Sequence, residues 1–115
     1  MPHFVIDCSE NILKLNAPEN TLLVVHEAAE KSGLFDKGDI KVRLNPFEKN
    51  YMVGGKKDAF IHVFANIMEG RTTEQKSKLS QQIVIQLKRI FPTINFIAIN
   101  ISDFEKATYC NKTMV

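Results

Sequence analysis

The chain has 115 residues, 44% of them apolar and 24% charged, with a formal net charge of +2. That length suits one domain around a single hydrophobic core, and its scattered lysines form no basic face for nucleic acid. Apolar runs such as Leu22-Leu23-Val24-Val25 are too short to cross a bilayer, and no basic-then-apolar leader opens the chain, so the expected location is the cytoplasm.

Residues Pro2 to Cys8 read as a strand, with proline tolerated because the first residue of a strand need not donate to the ladder. Asn16-Ala17-Pro18-Glu19 reads as a helix start, with Asn16 as the cap, Glu19 three residues on and Pro18 in the first turn. Leu22, Val25, His26 and Ala29 follow at helical spacing, and Gly33 supplies the stop. Ile40 to Leu44 alternates apolar and basic residues, the pattern of a half-exposed strand that Pro46 is expected to end. Residues 45–57 read as a turn-rich connection with room for a short strand at Tyr51-Met52-Val53.

The pattern then restarts. Ala59 to Met68 predicts a strand with Ala59, Ile61, Val63, Ala65 and Ile67 on one face and Phe60, His62, Phe64 and Asn66 on the other. Gly70-Arg71 makes a turn, and Thr72 with Gln75 forms a capping box. Leu79, Ile83, Leu87 and Ile90 mark one side of a long helix that Pro92 terminates. Asn95 to Ile101 predicts the last strand, and residues 102–115 show too little periodicity for an element.

This order predicts an α/β chain (α+β in its segregated helices): two consecutive βαβ units forming a four-stranded sheet with two helices on one face. The units cover about 2–57 and 58–115 of a single domain and suggest a duplication. Within each unit the strands should be parallel, joined by a right-handed crossover. The sheet's other face, with Phe60, His62 and Phe64, is too apolar to stay wet, so an oligomer is expected.

Pro2 has a chemical meaning that proline elsewhere lacks. Once Met1 is trimmed it presents a secondary amine, whose proton leaves more readily in an apolar pocket or near cations. Such an amine can serve as a general base near neutral pH. Candidate cations are Lys41 and Arg43, on one side of a strand, and Arg71, at a turn before a helix. Arginine can also hold a developing enolate oxygen. The three histidines lack metal-ligand spacing, no paired acids sit in a suggestive turn, and Cys8 and Cys110, with no CxxC spacing, are expected as free thiols.

Met1-Pro2-His3-Phe4, continuing to Ile12, resembles the opening of the 5-carboxymethyl-2-hydroxymuconate isomerases, a family of the tautomerase superfamily. Glu69 to Lys76 is similar to the turn and helix start of the 4-oxalocrotonate tautomerases, and Asp39 to Arg43 resembles the isomerases' second strand. The resemblance implies a cofactor-free isomerase with Pro2 and Arg71 as catalytic residues, Lys41 and Arg43 binding substrate, and a homotrimeric assembly. Lys41 stands where the family has arginine, which keeps the charge but not the bidentate fork. The implied substrate is a small unsaturated dicarboxylate such as 5-carboxymethyl-2-hydroxymuconate, with no nucleic-acid or membrane partner. Two alternatives remain: a tautomerase acting on phenylpyruvate-like enols, and a non-catalytic trimeric binding protein of the same fold.

Overall fold

The computed structural model describes residues 1–115. Strands β1 (His3–Ser9), β2 (Lys41–Phe47), β3 (Phe60–Met68) and β4 (Phe96–Phe104) form one mixed sheet in the order β2-β1-β3-β4. The outer pairs, β1 with β2 and β3 with β4, are parallel, and the central pair β1 with β3 is antiparallel. Helix α2 (Pro18–Lys31) connects the first parallel pair and α3 (Thr73–Ile90) the second, while α1 (Ile12–Leu15) is a single turn leading into α2. The fold is thus the four-stranded sheet with two main helices that the sequence predicts.

Both helices pack on the same face. From the strands, Phe4, Ile6, Cys8, Ile61, Val63 and Ala65 meet Val25, Ala28 and Ala29 of α2 and Leu79, Ile83 and Leu87 of α3. The period-2 reading of β3 holds, because Ile61, Val63, Ala65 and Ile67 are all buried. Ile83 is fully buried at the middle of α3's apolar stripe. Ile83→Ala should cost about 2–5 kcal/mol through lost burial and an unfilled cavity. Urea midpoints of the two proteins measure it, with an unchanged slope showing that the same fold unfolds.

Several boundaries differ from the sequence reading. Pro46 does not stop β2, which runs on to Phe47 with Pro46 opposite Cys8. As an outer strand, β2 tolerates the missing N–H. The N-cap of α2 is Ala17 rather than Asn16; the Asn16 side chain instead accepts from Asn20 Nδ2 at 2.9 Å. Around Tyr51–Val53 there is only an isolated bridge, Val53 to Lys56. β4 runs three residues past Ile101, so part of the unassigned tail is sheet. The Thr72/Gln75 capping box forms as predicted.

Cys8 carries a pH signature of the core. Burial first, and the neighbouring Asp7 second, push its thiol from 9.0 up to about 11. The unfolded chain therefore sheds this proton before the folded one does. The stabilisation is complete below about 9 and is lost as pH rises towards about 11. Cys8→Ala should flatten the decline in urea midpoint across that window, an outcome checked by paired titrations at both ends.

Candidate active site

Pro2 is buried immediately before β1, and its carbonyl accepts from Lys41 N at 3.1 Å, the first rung between β1 and β2. This rung brings the chain start beside the segment that enters β2. The N-terminal residues and that segment line an open cleft of about 190 Å³, which Pro2, Leu34, Phe35, Asp36, Asp39 and Arg71 border together with Met1 and Gly33. Gly33 and Gly70 make the turns on either side; with φ of 72° and 119°, both take backbone conformations that a side chain disfavours.

Arg71 is held firmly. Its Nη2 donates to Leu34 O at 2.7 Å and its Nη1 to Met68 O at 3.2 Å. Its guanidinium also lies 5.1 Å from the centre of the Phe35 ring, a cation–π distance. Phe35 in turn meets Phe4 edge-on at 6.1 Å, tying the cleft wall to the core. The tail supports the same turn: Glu69 N donates to Phe104 O at 3.0 Å, and Lys106 N donates to the Glu69 carboxylate at 2.7 Å. Residues 102–106 therefore brace the Arg71 loop, a link that their weak periodicity concealed.

The four candidate residues do not all converge. Pro2 and Arg71 border one cleft. Lys41 lies at its edge, with Nζ 3.3 Å from Asp39 O and 3.5 Å from the Met1 sulfur. Arg43 stands apart on the open face of the sheet, where Nη1 is 3.1 Å from His3 Nδ1. Burial first, then Arg43, Lys41 and the chain terminus, lower the His3 pKa. A neutral His3 with its proton on Nε2 can accept from Arg43 through Nδ1. The wider open face is mixed rather than uniformly apolar. Phe64 and Phe96 are exposed, but His62 and Asn100 bond at 2.6 Å between them.

Asp36 and Asp39 correct the expectation that no suggestive turn carries paired acids. Asp36 precedes and Asp39 closes a short 3₁₀ turn, Lys37–Asp39, and both line the cleft. Pro2 is therefore surrounded by mixed charge rather than by cations alone. Their spacing in sequence is that of an ordinary surface turn, and only the β1–β2 pairing brings them to the chain start. A larger groove of about 370 Å³ runs between α2 and α3 but holds none of the four candidates.

The chain that brings Pro2 and Arg71 to one cleft is an isomerase by the family it matches. A family model for 5-carboxymethyl-2-hydroxymuconate isomerase matches residues 2–108, and the chain belongs to that family. It is 25% identical over 95 residues to the 5-carboxymethyl-2-hydroxymuconate Delta-isomerase of Escherichia coli, covering 82% of this chain and 75% of the relative. Among solved structures, Pt0534 inactivated by 2-oxo-3-pentynoate superposes with a TM-score of 0.86 at 19% identity, over 98% of this chain and 94% of that one. The Q0 fused 4-OT, a symmetric trimer, has a TM-score of 0.83 at 14% identity, over 98% and 94%.

Proposed function

We propose that this isomerase moves a proton within an unsaturated carboxylate, turning an enol into its ketone or shifting a double bond, with Pro2 as the base. The observation that carries the reading is the shared cleft of Pro2 and Arg71. After loss of Met1, the Pro2 nitrogen takes a proton from the enol hydroxyl or from an activated carbon. Arg71 holds the conjugate base through N–H groups not committed to Leu34 and Met68. The prolinium then returns the proton at another carbon, so the reaction is redox-neutral and needs no cofactor. The Arg71 guanidinium in the same cleft favours the neutral form of a Pro2 amine. Lys41 is assigned as an ancillary cation at the cleft edge, and Arg43 as a substrate-binding residue that serves only across a boundary between copies.

Dicarboxylates of the 2-hydroxymuconate kind are the first substrates to assay, following the activity named for the Escherichia coli relative. A single-carboxylate, phenylpyruvate-like enol is the second reading, favoured by Asp36 and Asp39 in the cleft lining. The deciding experiment follows ketonisation of both enols by ultraviolet absorbance, comparing protein that begins at Pro2 with protein carrying extra residues before it. Fast turnover that vanishes on extension supports the free-amine mechanism. Rates at the buffer level for both forms favour a non-catalytic binding protein instead.

A homotrimer belongs to the same proposal, since the Q0 fused 4-OT is a symmetric trimer and the open face here exposes Phe64 and Phe96. Light scattering after size exclusion should return three times the 13.1 kDa chain mass. A clean monomer counts against an interface on that face.

A further inference from the structure

We propose that the groove between α2 and α3 is an effector site, for a small molecule with an anionic head and an uncharged apolar body, coupled to Arg71 through a shared wall. The proposal takes Pro2 and Arg71 as the reacting centre from the reading above but seats its ligand elsewhere. At about 370 Å³ the groove has room for a small organic molecule. Its floor is apolar, from Val24 and Ala28 of α2, Leu79 of α3 and Leu34 of the following turn. It lies on the helix side of the sheet, opposite Phe64 and Phe96, so a trimer formed through the open face leaves it free.

The rim is sorted by charge along its length. Lys31 ends α2, Lys78 lies in the second turn of α3, and both line the groove. They share the end nearest the Arg71 turn, because α2 stops just before Leu34, and Leu34 O accepts from Arg71 Nη2 at 2.7 Å just ahead of α3. The ion pairs of the chain, His26 with Glu30 and Lys76 with Asp103, leave both ammoniums unneutralised. Glu27 is the only acid in the lining and sits one helical turn back from Lys31. An oxyanion head therefore fits between the two lysines, and the rest of the ligand must be uncharged to pass Glu27. Exposed lysines alone bind an anion weakly; the apolar floor supplies the remaining affinity.

Two groove residues bear directly on the Arg71 turn. Leu34 lines both the groove and the cleft, and its carbonyl holds the Arg71 guanidinium. Gln75 lines the groove, and its side-chain oxygen accepts from Thr72 N, next to Arg71, at 2.9 Å. A ligand that shifts Leu34 or Gln75 changes the bonds that fix Arg71, and substrate affinity changes with them.

The test uses protein beginning at Pro2 and two probes of matched shape, 2-naphthoate and the uncharged 2-naphthamide. In proton–nitrogen correlation spectra, 2-naphthoate should shift the side-chain amides of Gln75 and Gln82, which line the groove, together with the Arg71 guanidinium signal. The amide probe should bind about tenfold more weakly. Joint substitution of Lys31→Gln and Lys78→Gln, both exposed, should weaken 2-naphthoate about tenfold while leaving turnover without probe unchanged. Saturating 2-naphthoate should change KM for the enol in native protein, and the double variant should need correspondingly more probe for the same change. Shifts at Arg71 without shifts at Gln82, or an effect on KM that the double variant leaves intact, place the probe in the Pro2 cleft and overturn the inference. Binding indifferent to both the head charge and the lysines, or groove binding that moves neither KM nor the Arg71 signal, overturns it as well. Absence of turnover without any probe overturns the Pro2 reading instead, and the Arg71 signal then decides the coupling.

Discussion

Pro2→Ala, in protein freed of Met1, should lower kcat by about 10²–10⁴-fold, the range contributed by a positioned general base. The substitution leaves an amine at the chain start, so it changes the base without blocking it. An N-terminal extension turns the same nitrogen into an amide and should be the more severe change. Neither should unfold the protein. Proline has no N–H to lose from the ladder, and the bond that fixes this end of β1 runs from Lys41 N to the Pro2 carbonyl, which alanine retains. Circular dichroism and urea midpoints check that point, and steady-state rates on the enol give the catalytic loss. A binding protein without chemistry predicts instead that Pro2→Ala and the native form bind substrate equally and that neither turns it over.

The framework of the fold was legible because its signals are local. The Thr72/Gln75 capping box, the Leu79-Ile83-Leu87 stripe and the alternation from Ile61 to Ile67 each lie within one element, and each appears where the pattern placed it. Pro46 was misread because a proline stops an inner strand but not an outer one, and strand order is not a local property. The tail was hidden for a similar reason. Ser102 and Asp103 look like loop residues until register sets them opposite Asn66 and Ile67. The site was legible in part: Pro2 and Arg71 are marked by residue type and position, whereas Asp36 and Asp39 are ordinary turn residues until the rung from Lys41 to Pro2 brings them to the chain start. Arg43 shows the opposite error. Two-residue spacing put it beside Lys41 on one strand face, but the cleft lies at the strand's end, with Lys41 at its edge and Arg43 farther along beside His3.

That difference in reach governs the second large effect. Arg71→Ala should lower kcat/KM by about 10²–10³-fold, the scale of losing a preorganised donor to a developing oxyanion. Lys41→Ala should cost roughly tenfold or less, because its ammonium is exposed and outside the cleft lining, where single charges contribute little. Arg71 also ties Leu34 O and Met68 O together, so its removal could loosen the loop as well as the substrate. Arg71→Lys separates the two roles. It keeps a cation but not the planar fork, so it should recover only part of the lost rate even where the urea midpoint is fully restored. Full recovery of rate with lysine would mean that charge alone matters at this position. Equal and negligible losses for Arg71→Ala and Lys41→Ala would place the anion site elsewhere, with Arg43 on the open face as the next residue to change.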